Sequence, residues 1–121
     1  MSELNGTNGK AFDYYPRLKR LREQVEQSYS EPISLEKAVR IAALEGSYSY
    51  SYFRTKVGIT FTEWLHQVRI SKAIKLIKAR GLSVTEIAYE VGFADLRTFE
   101  RAFKKHTLKT PMEFKKTVAP E

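Results

Sequence analysis

Apolar residues recur at helical spacing along most of the chain, and turn residues interrupt them at regular places. Leu18, Leu21 and Val25 form one stripe, opened by Pro16 at a first helical position and closed by Ser30-Glu31-Pro32. Leu35, Ala38, Val39 and Ala42 form a second stripe behind Ser34. Thr60 to Arg80 predicts a long helix, stopped by Gly81. Its apolar residues face two ways. At about 100° per residue, Phe61, Trp64, Leu65 and Val68 share one side, while Ile70, Ala73, Ile74 and Ile77 centre on the other. Such a helix suits a connector that packs into one small core at its start and another at its end. Ser83-Val84-Thr85-Glu86 reads as a capping box ahead of Ile87, Ala88 and Val91, and Gly92 ends that helix. Asp95 suits the N-cap of the next, whose inner face is Leu96, Phe99, Ala102 and Phe103. A short last helix from Pro111 carries Met112, Phe114 and Val118.

One stretch breaks the pattern. Between Gly46 and Phe53, in GSYSYSYF, serine and tyrosine alternate with the period of a half-buried strand. An internal repeat decides against that reading. Ser34-Leu35 and Ala38-Val39 match Ser83-Val84 and Ile87-Ala88 at an offset of 49. Phe53-Arg54 matches Phe103-Lys104, and Thr60, Glu63 and Trp64 match Thr110, Glu113 and Phe114, at an offset of 50. In that register Ser47 to Phe53 lies over Arg97 to Phe103, a helical run, so the stretch is expected to be a short helix. Tyr52 and Phe53 then point inward, and Ser47, Tyr50, Ser51 and Arg54 outward. The weak helix propensity of serine and tyrosine, a few tenths of a kcal/mol each, is outweighed by burial of large side chains at ~1.5–3 kcal/mol each.

The expected fold is all-α: two helix-turn-helix subdomains joined by a long connector helix, about seven helices in all. Residues 1–13 read as a disordered tail, 14–59 as the first subdomain, 60–80 as the connector and 81–117 as the second subdomain. In a helix-turn-helix the second helix enters the DNA major groove, where side chains on its outer face reach base edges. In the second subdomain that face carries Arg97, Glu100, Arg101 and Lys104.

Charge points the same way. The net charge is +7 with a pI near 9.7, and residues 61–121 hold 12 Lys+Arg against 7 Asp+Glu. A basic balance favours polyanionic partners. The absence of cysteine removes disulfides and thiolate chemistry and fits a reducing compartment. With no apolar run of membrane length and a polar N-terminus, the expectation is a cytoplasmic protein without membrane contact. His66 and His106 are the only histidines, too few with Glu63 for a catalytic triad or a metal site, and no glycine-rich phosphate loop is present. No enzyme, metal, cofactor or small-molecule ligand is expected.

Residues 83–116, SVTEIAYEVGFADLRTFERAFKKHTLKTPMEFKK, resemble the signature of the AraC/XylS transcriptional regulators. Ile87, Ala88, Gly92, Phe93, Asp95, Phe99, Arg101, Phe103, Lys104, Lys105, Thr110, Pro111 and Phe114 carry the match, and Arg69, Ala73, Leu76 and Ile77 extend it into the connector. The likeness runs from about residue 16 to 117. Leu108 stands where such proteins usually have glycine, which implies another backbone path there. Lys115 replaces the usual arginine, Ala43 the glycine of the first turn, and Ser51 an arginine of the first recognition helix.

The resemblance implies a bacterial regulator, usually an activator, that binds promoter DNA and contacts RNA polymerase. Its two recognition helices would enter successive major-groove segments, about 34 Å apart. The expected division of labour has Arg97 and Arg101 reading bases, with Leu96, Glu100, Ser47, Tyr50 and Ser51 as further base contacts. Arg54, Lys104 and Thr110 would hold phosphates. Many relatives add a sensing or dimerisation domain, so the chain reads either as a short regulator or as a piece of a longer one. A different class of function is a helical module that binds another regulator or RNA polymerase, with Tyr48 and Tyr50 at its interface.

Overall fold

The computed structural model describes residues 7–33, 37, 40, 48–79 and 81–118. These form seven helices and no strand: α1 (Ala11–Tyr14), α2 (Pro16–Ser28), α3 (Tyr48–Val57), α4 (Phe61–Ala79), α5 (Val84–Glu90), α6 (Leu96–Thr107) and α7 (Pro111–Val118). The helix expected behind Ser34, with Ala43 in its turn, lies outside the described residues. The chain divides into two compact units, Met1–Leu65 and His66–Glu121, so the division falls within α4.

In the first unit the core is aromatic. Phe53 and Val57 on α3, Phe61, Trp64 and Leu65 at the start of α4, and Leu18, Leu21 and Val25 on α2 are all buried. Phe53 meets Phe61 edge-on at 5.7 Å and Trp64 at the same distance. The serine–tyrosine stretch is therefore helical from Tyr48 onward, because Phe53 must face Trp64. The expected tail differs. α1 holds Ala11 and Phe12 at 2% exposure, and Phe12 stacks on Trp64 at 4.8 Å. Arg22 on α2 secures this arm, with Nη2 2.9 Å from Asp13 Oδ1 and its guanidinium 5.8 Å from the centre of the Phe12 ring. Burial of one large ring outweighs the polar composition around it.

In the second unit Ile70, Ala73 and Ile77 of α4 are buried, as are Ile87, Ala88 and Val91 of α5 and Phe99, Ala102 and Phe103 of α6. Phe61, Trp64 and Leu65 of one side of the connector are thus buried in the first unit and Ile70, Ala73 and Ile77 of the other in the second, while Val68 and Ile74 are half-buried. On α7, Pro111 is buried and Phe114 meets Phe103 edge-on at 5.5 Å. Met112 is 55% exposed, since Pro111 and Phe114 take the inner side of this helix.

Candidate nucleic-acid interface

The second helix-turn-helix is held by backbone chemistry at each joint. α5 starts with a complete capping box: Glu86 N–H donates to Ser83 Oγ at 3.1 Å, and Ser83 N–H to Glu86 Oε1 at 2.8 Å. It ends in a Schellman turn, with Phe93 N–H on the Ala88 carbonyl at 3.0 Å and Gly92 N–H on that of Tyr89 at 3.1 Å. Gly92 has φ 106°, the left-handed region where glycine carries no Cβ penalty. Phe93 then plugs the turn, 5.3 Å from Phe99, with the His66 ring at 5.2 Å and the Arg69 guanidinium at 5.8 Å. Arg69 is itself 8% exposed, and this burial lowers the pKa of its guanidinium.

Asp95 caps α6. Thr98 N–H donates to its Oδ1 at 2.7 Å and the Thr98 hydroxyl to Oδ2 at 3.1 Å. These bonds, then the charges of Arg101 and Arg97, hold the Asp95 carboxyl below its usual range. From there α6 turns Phe99 and Phe103 inward, both fully buried, and leaves Arg97, Glu100, Arg101, Lys104 and Lys105 exposed. Leu96 is half-buried at the first turn. Glu100, Arg101, Lys104, Lys105 and Thr110 line one shallow depression of about 500 Å³. The side chains of Arg97, Glu100, Arg101 and Lys104 make no hydrogen bond or ion pair among the described residues.

Thr110, expected to hold phosphate, is first of all the cap of α7. Glu113 N–H donates to its Oγ1 at 3.1 Å, and Thr110 N–H donates to Glu113 Oε1 at 2.7 Å. These bonds, then Lys104 and Lys109, lower the pKa of Glu113. The same box stands 50 residues earlier, where Glu63 N–H donates to Thr60 Oγ1 and Thr60 N–H to Glu63 Oε1, each at 3.1 Å. Both boxes are legible in the sequence as T-x-x-E, the threonine analogue of the one at Ser83. Lys115 donates from Nζ to the Leu82 carbonyl at 3.3 Å, tying α7 to the loop ahead of α5.

The expectation of another backbone path at Leu108 is not met. Leu108 takes φ 68° and donates its N–H to the Lys104 carbonyl at 2.8 Å. Gly58 closes α3 in the same manner, with φ 96° and its N–H on the Arg54 carbonyl at 2.8 Å. The leucine side chain is 84% exposed. It keeps the glycine geometry because the C-terminal hydrogen bond requires it.

The first recognition helix is built differently. Ser51 and Arg54 are exposed on α3. Ser47 lies outside the described residues, and so do the side chains of Tyr48 and Tyr50. The end of α3 is capped from the N-terminal arm: Asn8 N–H donates to the Val57 carbonyl at 2.7 Å and Asn8 Nδ2 to that of Lys56 at 3.3 Å. Lys56 Nζ sits 4.9 Å from the centre of the Tyr15 ring and 5.9 Å from that of Tyr52, a cation–π pair.

A family model described as a helix-turn-helix domain matches residues 38–117. The chain belongs to the AraC-type helix-turn-helix family. Among curated relatives, the AraC-type chain is 28% identical over 118 residues to the Msm operon regulatory protein of Streptococcus mutans. That match covers 98% of this chain but 41% of the relative, so the chain spans about two fifths of the relative's length. A solved transcriptional regulator with an AraC-type DNA-binding domain, from Chromobacterium violaceum, shares the fold at TM-score 0.79 and 20% identity, covering 88% of this chain and 96% of that one. The DNA-binding domain of AdpA, a global transcriptional factor solved in complex with a target DNA, shares it at TM-score 0.75 and 19% identity, covering 82% and 89%. No helix among the described residues is long and apolar enough to cross a membrane.

Proposed function

We propose that this AraC-type chain is a sequence-specific double-stranded-DNA-binding regulator of transcription. It inserts α3 and α6 into successive major-groove segments, acts in the bacterial cytoplasm, and activates promoters through contact with RNA polymerase. The observation that carries the reading is the outer face of α6. Four charged side chains there, Arg97, Glu100, Arg101 and Lys104, are exposed and make no side-chain hydrogen bond or ion pair among the described residues, while Asp95 and Glu113 beside them are engaged in helix caps. Arginine meets the O6 and N7 of guanine with two donors at once, so Arg97 and Arg101 are the base readers, with Leu96 beside them. Lys104 and Arg54 bind phosphates, and the hydroxyl hydrogen of Thr110 adds a donor beside Lys104. Ser51 and, where they reach, Ser47 and Tyr50 give α3 a neutral contact surface. AdpA, bound to its target DNA, supports the reading through a shared fold.

Selection of binding sequences from a random duplex pool tests it, followed by titration of the selected site at two salt concentrations. The reading expects an enriched site whose protected region spans two major-groove segments on one face of the duplex. Affinity should fall steeply with salt, by about 0.9 log units per log unit of salt for each phosphate neutralised. A helical module that binds only another protein would enrich no sequence at either salt concentration, and that outcome would refute the proposal.

A further inference from the structure

We propose that Glu100 makes the second unit select cytosine: its carboxylate accepts a hydrogen bond from the N4 amino group of a cytosine, one or two base pairs from the base read by Arg97. This rests on the base-reading role proposed for α6.

The starting point is a charge in an unfavourable place. Glu100 is the only acidic residue of α6, and it stands among Arg97, Arg101 and Lys104 on the exposed face. Three other acids of this unit have structural employment: Glu86, Asp95 and Glu113 each cap a helix. Glu100 caps nothing and makes no hydrogen bond or ion pair among the described residues. Brought against a duplex, a bare carboxylate is repelled by the phosphates and weakens binding to every sequence unless a donor meets it.

The major groove has few donors. Guanine shows N7 and O6 and thymine shows O4, all acceptors, which face a carboxylate with lone pairs. Adenine has an N6 donor beside an N7 acceptor, so attraction and repulsion stand side by side. Cytosine alone presents a donor with no acceptor next to it on its own edge. Glu100 therefore costs least on cytosine and most on guanine and thymine, and acts as a filter. Its position limits which base it meets. On α6, Glu100 lies about 60° around the axis and about 4.5 Å along it from Arg97. The base-pair rise of about 3.4 Å then puts the cytosine one or two steps from the Arg97 base.

The test is random-pool selection with the full chain in three forms: unchanged, Glu100→Gln and Glu100→Ala. The side chain is exposed, so all three should fold alike, which circular dichroism checks. The unchanged chain should enrich cytosine at one position close to an enriched guanine. Glu100→Gln should move that position to adenine, because glutamine both donates to N7 and accepts from N6. Glu100→Ala should flatten that position, keep the guanines and bind random duplex more tightly. Replacing the cytosine pair should weaken the unchanged chain by roughly 5- to 150-fold and leave Glu100→Ala nearly unaffected. Enriched guanines without the cytosine, or one unchanged preference across all three forms, would overturn the inference and leave base reading by the arginines standing. Enrichment of nothing at all would remove both.

Discussion

Replacing Phe12 with alanine tests whether the N-terminal arm belongs to the core of the first unit. Phe12 is 2% exposed, stacked on Trp64 at 4.8 Å and edge-on to Phe53 at 6.0 Å. Truncating a buried phenylalanine costs about 3–5 kcal/mol, the lost transfer free energy plus the cavity left behind. The two ring contacts, about 0.5–1.5 kcal/mol each, fall within that range. Whole domains are stable by only about 5–15 kcal/mol, so Phe12→Ala should leave the first unit marginal. Trp64 is the only tryptophan of the chain, so its fluorescence in a urea titration reports this site. With a slope near 1–1.5 kcal/mol/M for so small a unit, the midpoint should fall by about 2–5 M, or the transition should vanish. Tyr14→Ala is the control: that residue is 77% exposed, and its loss should stay within about 0.5 kcal/mol. A Phe12→Ala loss below about 1 kcal/mol, or one equal to the control, would show that the arm does not contribute to the core.

Leu108→Gly should stabilise the second unit by about 1 kcal/mol, since a left-handed non-glycine residue costs about 1–2 kcal/mol and the exposed side chain buries almost nothing; a loss of stability in thermal unfolding followed by circular dichroism would contradict this. Glu86, Asp95 and Glu113 have pKa values lowered by their capping bonds. Their contribution should be complete above the ordinary values of 4.5, 3.8 and 4.5 and fade as pH falls through the lower folded-state values. In an NMR titration, Ser83→Ala, which removes the hydroxyl but keeps the residue 83 N–H on Glu86 Oε1, should raise the Glu86 pKa only part of the way to its ordinary value, and a full return would count against the backbone bond. Lys104→Ala should weaken binding to all duplexes alike and reduce the salt slope by about one phosphate; a loss confined to one sequence would mean that Lys104 reads a base.

Much of this was legible in the residues. The opposed apolar faces of 60–80 follow from periodicity alone, and both faces are buried, Trp64 in one unit and Ile77 in the other. The helix at Tyr48–Val57 needed the repeat, since alternation of serine and tyrosine points to a strand when read by itself. The exposed row Arg97, Glu100, Arg101 and Lys104 was visible because Phe99 and Phe103 leave no other side for it. The arm at Ala11–Tyr14 was not legible. A four-residue helix shows no period, and its anchors, Arg22, Phe53 and Trp64, lie up to 52 residues further along the chain. Leu108 could have been read from register: it sits opposite Gly58, and both donate to the carbonyl four residues back.

The central claim is that α6 reads bases through its arginines, and comparing Arg97→Ala and Arg101→Ala on two kinds of duplex tests it most directly. Each substitution should cost about 1–3 kcal/mol on the selected site and much less on random duplex of equal length at the same salt. Equal losses on both would reduce the arginines to phosphate contacts and contradict the account.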